Sequence, residues 1–473
     1  MRRRPLANAL DGDVRGGLTD QVTPHAGSAL LIELGRRSGM IAAAEKSLPA
    51  KQSPKGLRPG ELVEAFVLLS ALGGECVDDF DGLRRDRGLA ALLGYDLPAA
   101  STARQWLERT FHEPEAVAGR PAQGSFIPAE SAGLGGLREV VRHSARTYVA
   151  AVRPGPAVTL DVDAHLVESS KRSALPTYEG YRGYQPLLVA WAEAGLVLAD
   201  EFRDGNVPAA TGIRDLVDEA FAALPTRASA DPWRVSVRSD SAAYERTVLD
   251  HWDGRGWRFA VSADLSPQLR QEIVALPFEA WQPWAEDAKG FVREWAEVPF
   301  VPSRASEKKD TAPHRYLAIR VRSPQGVLFG DGASVKHFAV VTNDWDTDGR
   351  ALLAWQRGKA GTIEHVNHVL KNELAAGVYP SDKFGANAAW LRLQVVTCNL
   401  LELLKQTALD GEYRSARPKR LRFAIFTPEA SRKPQGRVVR HARERFVRLT
   451  LRALETVVRP GLRRLRRCAW AAP

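Results

Sequence analysis

Val158-Thr159-Leu160-Asp161-Val162-Asp163 is an apolar, β-branched run that ends in a carboxylate, and Arg234-Val235-Ser236-Val237-Arg238-Ser239-Asp240 ends in the same way. Both patterns predict strands, and a loop or helix signal follows each of them, so the two acids mark strand ends. A third acid, Glu364, lies in a segment whose apolar residues recur at helical spacing: Ile363, Val366, Leu370 and Leu374. That spacing predicts an amphipathic helix.

Asp163, Asp240 and Glu364 are therefore predicted to be the catalytic and metal-binding residues of a phosphoryl-transfer site. Such a site holds two Mg²⁺ or Mn²⁺ ions roughly 3.5–4 Å apart, and oxygen ligands suit these hard cations. The alternative is that they are ordinary charged residues, since the chain has 56 acidic residues. For Glu364, a solvated helix face explains the pattern equally well.

Three ordered segments give the chain a family resemblance: LDVDAHLVESSKRSALPTYEGYRGYQPL (160–187), VRSDSAAYE (237–245) and RGKAGTIEHVNHVLKNELAAGVYPSDKFGANAAWLRL (357–393). Together they resemble the DDE transposases of bacterial insertion sequences, most closely the family numbered thirteen-eighty. The resemblance runs from about residue 30 to residue 450. It implies a ribonuclease-H-like core and an enzyme that cleaves DNA at element ends and transfers the freed 3′-hydroxyl to target DNA. The implied partners are terminal inverted repeats, target DNA and a second copy of the chain in the DNA complex.

The resemblance extends to basic residues around Glu364. Many such transposases carry a lysine seven residues after the glutamate, and Lys371 matches it. The tyrosine and arginine expected before the glutamate are not at their usual offsets; Arg357 and Lys359 stand upstream instead and are candidate phosphate-binding residues. His368 follows Glu364 at i+4 and is predicted to lie on the same helical stripe.

Asp161 and Asp163 alternate by two and so share one face of a strand. The family pattern has an aspartate followed two positions later by threonine, and Asp163 fits that frame, although His165 replaces the threonine. We therefore assign Asp163 as the ligand and Asp161 to a supporting position behind it, with the reverse assignment as the alternative.

The net charge of +10 is concentrated near the end of the sequence. Residues 414–473 contain 18 Lys and Arg against three Glu. Arg463, Arg464, Arg466 and Arg467 are predicted to contact DNA phosphates. The alternative is a solvated helix in an arginine-rich protein.

Composition places the chain among globular proteins, with 44% hydrophobic and 26% charged residues. Its 473 residues exceed what one core usually supports, so two or more domains are expected. We find no signal peptide and no membrane span, and the three cysteines lack metal-binding spacing. These features agree with a cytoplasmic protein, and the family resemblance implies a bacterial one associated with the nucleoid.

The expected fold class is α/β: a ribonuclease-H-like catalytic core interrupted by a β-rich insertion, with an N-terminal helical domain and a basic helical C-terminus. Strands over 158–163, 186–192 and 196–202 should form an antiparallel meander, followed by helix 211–223, strand 234–239, helix 243–254 and strand 257–261. The first and fourth strands should be neighbours. In the insertion, strands are expected near 315–323 and 337–342, and core packing is favoured for each of Trp281, Trp284 and Trp295.

The predicted domains are a disordered leader (1–28), a helical DNA-binding or dimerisation domain (29–112), a linker (113–136), the first part of the core (137–262), the β-rich insertion (263–346), the second part of the core (347–410) and the basic C-terminal region (411–473). In the helical domain, Ser101 and Thr102 begin a helix whose Arg104 and Gln105 are candidates for DNA contact. A packing or dimerisation module explains the same pattern equally well.

Three functions remain open at this point. The leading one is an active transposase. The others are a nuclease of the same fold without strand transfer, and a catalytically inactive DNA-binding protein derived from a transposase.

Overall fold

A computed structural model describes residues 23–51, 55–121, 124–286, 288–302, 313–325, 327–409 and 411–427. Its strands are β1 (Ala157–Ala164), β2 (Val167–Glu168), β3 (Leu175–Pro176), β4 (Arg182–Tyr184), β5 (Leu187–Trp191), β6 (Leu196–Glu201), β7 (Arg234–Ser239), β8 (Arg258–Ala263), β9 (Gln282–Glu286), β10 (Val292–Val298), β11 (Arg315–Arg322) and β12 (Val335–Thr342). Within the described ranges, nine of these form one mixed sheet in the order β6-β5-β1-β7-β8-β12-β11-β10-β9, and β2-β4-β3 form a small second sheet.

The helices begin with α1 (Ala29–Arg37), α2 (Met40–Ser47), α3 (Pro59–Leu72), α4 (Phe80–Leu83), α5 (Arg87–Leu93), α6 (Ala100–Phe111), α7 (Pro114–Ala118) and α8 (Ala132–Val152). They continue with α9 (Ile213–Ala223), α10 (Arg246–Gly254), α11 (Pro267–Ala275), α12 (Gly349–Arg357), α13 (Ile363–Glu373), α14 (Phe384–Thr407) and α15 (Pro418–Leu421).

The predicted order of strands and helices is confirmed in the first half of the sheet. Strand β1 pairs antiparallel with β5, and β5 pairs antiparallel with β6. On its other side β1 pairs in parallel with β7, which is also parallel to β8. The parallel pairs are joined through helices, as the geometry of parallel strands requires.

The segment 263–346, predicted as an insertion, adds strands to the same sheet. Strand β12 pairs antiparallel with β8, and β11, β10 and β9 follow outward. Trp281 and Trp295 are buried, as predicted for core packing. At Gly349, the first residue of α12, an added Cβ would lie 2.2 Å from the Trp295 ring. This segment therefore supports α12 directly, and α12 leads into the helix that carries Glu364.

The long helix α14 is buried along almost its whole length and organises the N-terminal helices around it. Phe66 of α3, for example, packs against both Trp106 of α6 and Trp390 of α14, with ring centroids 5.4 and 6.0 Å apart. One continuous apolar core includes these helices and the sheet. Helix α8 begins at Ala132, inside the stretch predicted as a linker, because Ser131 accepts a hydrogen bond from the Leu134 amide and caps the helix there.

Arg392 of α14 connects the long helix to the sheet through an ion pair and hydrogen bonds. Its guanidinium is 2% exposed and contacts both oxygens of Asp200 at 3.0 Å. It also donates to the Leu134 carbonyl and to Glu130, each at 2.8 Å. These contacts offset the cost of burying the charge.

We expect Arg392→Met to lower the stability of the protein by about 3–5 kcal/mol, because Asp200 would lose its cationic partner in the interior, whereas Glu130 would keep its pair with Arg138. The midpoint of urea denaturation measures the effect. The control is Arg146→Met on the exposed face of α8, which should change stability by no more than about 0.5 kcal/mol. Equal midpoints for the two variants would contradict a stabilising role for Arg392.

After α15 a π-helical turn (Arg422–Phe426) ends the described chain. Arg422 donates to the carbonyls of Ala71 in α3 and Glu373 in α13, so it joins the ends of two helices. The predicted DNA-contacting residues Arg463, Arg464, Arg466 and Arg467 lie outside the described residues, as do residues 1–22 of the predicted leader. Across the described ranges, none of the helices combines the length and apolarity needed to cross a bilayer.

Candidate active site

Two parallel strands bring the first two acids to one edge of the sheet. In the β1–β7 pair, Asp161 lies opposite Arg238. Two residues further along their strands come Asp163 and Asp240. Asp163 is still within β1, whereas Asp240 follows the last residue of β7 and accepts a hydrogen bond from the Ala242 amide at 3.1 Å. The common register therefore puts the two carboxylates side by side at the carboxyl ends of parallel strands.

Glu364 joins them from the first turn of α13. It is exposed, and it lies at the end of the helix where the macrodipole favours an acid. Burial raises the pKa of Asp163, Lys359 opposes this shift, and the negative charges of Asp240 and Glu364 raise the pKa further. Asp163 thus lies within electrostatic reach of both Asp240 and Glu364.

Asp161 has a different environment from Asp163. It is fully buried, and both of its oxygens are bound by the Arg238 guanidinium, at 2.6 and 2.8 Å. Thr362, at the start of α13, donates its hydroxyl to the same carboxylate. Arg238 also donates to the Trp355 carbonyl of α12 at 2.5 Å. Asp161 and Arg238 therefore hold the junction between α12 and α13, and this junction determines where Glu364 lies.

A 3₁₀ turn (Gly358–Gly361) connects α12 to α13. A Cβ at Gly358 would lie 2.7 Å from the Arg238 guanidinium, so glycine allows the close approach. Lys359 in this turn is buried, and its ammonium donates to Asp163 at 2.7 Å. Asn367, one turn after Glu364 on α13, donates its amide to the other oxygen of Asp163, also at 2.7 Å. Both oxygens of Asp163 are thus bound by protein donors.

The residues of the predicted stripe on α13, Glu364, His368 and Lys371, are all exposed. The His368 ring contacts Asn372 at 3.1 Å and Arg417 at 3.3 Å. The helix is rotated so that the buried i+3 residue, Asn367, faces β1 while the exposed i+4 residue does not. Lys371 does face the segment after β1, where its ammonium lies 3.4 Å from the Leu166 carbonyl.

His165, two residues after Asp163, is enclosed by protein. Burial and the nearby charge of Lys371 lower the pKa of His165 to about 4. Among the described residues, neither ring nitrogen has a hydrogen-bond partner. The imidazole is therefore neutral at physiological pH.

The other predicted DNA-binding residues lie on two surfaces. Arg357, at the end of α12, stacks over Trp284 of the insertion at 5.2 Å, and both partial burial and the charge of Arg293 lower the pKa of Arg357. Two arginines and an aromatic ring thus lie close together at the end of α12. Arg104 of α6 is far from them in sequence, is exposed, and pairs with Asp78 at 2.9 Å.

The carboxylates suit a divalent cation by chemistry but do not form a metal site by arrangement. In the part of the chain that the structure describes, no group of three His, Cys, Asp or Glu side chains is arranged to hold a metal ion. Both oxygens of Asp163 accept hydrogen bonds, and the donor at one of them is the Lys359 ammonium, whose positive charge opposes a cation there.

Sequence reasoning did not identify Arg238, Thr362 or Asn367 as site residues. Arg238 precedes Asp240 by the same two positions by which Asp161 precedes Asp163, and this equal offset on parallel strands could have signalled the ion pair. Asn367 follows Glu364 at i+3, which places it on an adjacent part of the helix surface. No local signal distinguishes it from the other polar residues of α13.

Comparison with known families identifies the class of protein. The chain matches the family described as "Transposase DDE domain group 1" over residues 10–470. It belongs to that family, and it is thus a transposase of the DDE type.

One solved structure to which the chain is similar is that of the piggyBac transposase, in a synaptic complex with hairpin DNA. The two chains share 11% sequence identity and superpose with a TM-score of 0.43, over 88% of this chain and 84% of the other. Curated proteins gave no sequence match.

Proposed function

We propose that this chain is an insertion-sequence transposase of the thirteen-eighty type that cleaves DNA at element ends and transfers the freed strand into target DNA. The observation that carries the proposal is the meeting of Asp163 and Asp240 at adjacent parallel strand ends, with the charge of Glu364 acting on Asp163. Oxygen ligands of this kind support a requirement for two Mg²⁺ or Mn²⁺ ions. The proposed place of action is the bacterial nucleoid.

A ribonuclease-H-like core is part of the proposal. It is supported by the order of the first five core strands, β6-β5-β1-β7-β8, with an antiparallel meander followed by two parallel strands. The strands β9 to β12 are proposed as an insertion into that core. They extend its sheet and bring Trp284 to the side of Arg357.

The basic residues around the acids have proposed roles in holding DNA. Lys371 and Arg357 are on either side of Glu364 in the chain, and their proposed role is to bind phosphates on the two sides of the reacting bond. The closeness of Arg293 to Arg357 supports this role, because two neighbouring arginines gain stability from a shared anion. A homodimer in the DNA complex belongs to the same proposal.

The test is a cleavage and joining assay with the full-length protein and duplexes that end in the terminal inverted repeats flanking its gene. The proposal expects nicked or excised ends together with strands joined to target DNA, and it expects both products to require Mg²⁺ or Mn²⁺. Nicking without joined product would instead favour the nuclease. Binding without either product would favour an inactive derivative.

The C-terminal arginines and the α6 residues should affect DNA binding differently. Replacing Arg463, Arg464, Arg466 and Arg467 with Ala should weaken binding to every duplex about equally, and each lost phosphate contact should reduce the log–log salt slope by roughly 0.9. Replacing Arg104 and Gln105 with Ala should instead reduce the preference for repeat over scrambled DNA, since a good bidentate base contact discriminates by about 1–3 kcal/mol.

Salt-titrated binding of both variants to repeat and scrambled duplexes measures the two effects. An unchanged slope would make the C-terminal segment a solvated surface. Unchanged selectivity would make the N-terminal helices a packing or dimerisation element.

A further inference from the structure

Lys359 is a buried lysine with an unusual partner. Its side chain is 9% exposed and that of Asp163 is 15% exposed, with 2.7 Å between the ammonium nitrogen and Oδ1. A buried ammonium needs an anion to offset the loss of hydration. In this structure that anion is the carboxylate assigned above as the first acid of the active site.

The charge of this ammonium opposes metal binding at Asp163 in the geometry observed. Mg²⁺ binds carboxylate oxygens at 2.0–2.1 Å and requires a nearly ideal octahedron of oxygen ligands. The Lys359 nitrogen lies within hydrogen-bonding distance of Oδ1, so a cation there would lie close to a like charge. The Asn367 amide donates to Oδ2 but is uncharged, and it leaves a lone pair of that oxygen free.

We propose that Lys359 takes the place of a metal ion at Asp163 in the DNA-free protein, and that the metal displaces it when a DNA phosphate offers the ammonium a new anion. This inference rests on the proposed function. Lys359 would then couple metal binding to DNA binding, because the acids would bind a metal ion tightly only when DNA is present.

The surrounding contacts confine the exchange to the Lys359 side chain. The backbone before it is held by the Arg238 bond to the Trp355 carbonyl and by the close approach of Gly358 to the guanidinium. The backbone after it is held by the Thr362 bond to Asp161. A lysine side chain has a flexible four-carbon stem, so rotation can move the ammonium without moving α13.

Mn²⁺ binding to the full-length, DNA-free protein tests the proposal, with electron paramagnetic resonance used to count free ion. We expect Lys359→Met to bind Mn²⁺ about tenfold more tightly than the unmodified protein, or tighter still, because a like charge has been removed from the site. Lys359→Gln, which keeps a hydrogen-bond donor without the charge, should do the same. The control is Lys46→Met, which removes an exposed charge on α2 and should leave the affinity unchanged.

A second experiment repeats the Mn²⁺ titration in the presence of DNA. A duplex that carries the repeat should tighten Mn²⁺ binding to the unmodified protein and to Lys46→Met, and should change it much less in Lys359→Met. Equal DNA-free affinities for the unmodified protein and both Lys359 variants, all shown to be folded by circular dichroism, would overturn the inference.

Asp163→Asn separates this inference from the proposed function. If that variant keeps full Mn²⁺ binding and cleavage, the acid site itself is assigned wrongly. If it loses both while the Lys359 variants bind Mn²⁺ like the unmodified protein, the role of Lys359 alone is wrong.

Discussion

Asp240→Asn is expected to abolish strand cleavage while DNA binding stays within about twofold of the unmodified protein. The substitution removes one negative charge from the acid cluster without changing the shape of the side chain. Asp163→Asn and Glu364→Gln should have the same effect, each lowering the cleavage rate by at least about 10²- to 10³-fold. Cleavage of an end-labelled repeat duplex in Mg²⁺ and in Mn²⁺, alongside binding in Ca²⁺, measures both quantities.

Asp231→Asn is the matched control for this prediction. Asp231 lies three residues before β7, its side chain is 56% exposed, and it pairs with Arg227. Its substitution should leave cleavage unchanged. Normal cleavage by Asp240→Asn would remove Asp240 from the site, even if the other two variants were inactive.

Asp161→Ala is expected to destabilise the protein by about 3–5 kcal/mol, since it leaves the Arg238 charge buried without its partner. It should also slow cleavage, because Thr362 loses the contact that holds the start of α13. The double variant Asp161→Leu, Arg238→Met removes both charges and should recover much of the stability. It should not recover cleavage, since the Thr362 hydroxyl then keeps only its contacts to the Gly358 and Lys359 carbonyls of its own turn and is no longer tied to β1. The urea midpoint and the cleavage rate separate the two effects.

The comparison for this second prediction is Asp250→Asn, which breaks an i,i+4 pair with Arg246 on α10. Such surface pairs contribute about 0.3–0.5 kcal/mol, so the midpoint should hardly move. If Asp161→Ala were no more damaging than Asp250→Asn, the buried network would not be what holds α13.

Much of the core could be predicted because local patterns there agree with the tertiary structure. The alternation in 158–163 and 234–239 marked β1 and β7, and the helical spacing after Ile363 marked α13. The prediction that the first and fourth strands are neighbours also holds. Hydrophobic periodicity is a strong signal where an element has one buried face.

Local sequence patterns could not predict which side chains contact the acids. Nothing near Lys359 in the chain indicates that it binds Asp163, and no local signal marks Asn367 as the second partner of that carboxylate. The Lys359 contact depends on the path of the turn before α13, and the Asn367 contact depends on the rotation of α13 about its axis; the packing of both against the sheet decides them. The extension of the core sheet by β12 is a similar case, since strand pairing over a long separation leaves no local trace.

The sequence alone thus determined that Asp163, Asp240 and Glu364 end two strands and begin a helix, because alternation and helical periodicity are local properties of the chain. The tertiary structure alone determined that Asp161 forms an ion pair with Arg238 and that Asp163 forms one with Lys359. The physical reason is that a buried charge must find a partner in space, and the partner is chosen by register and helix rotation, which are set by the packing of the whole core.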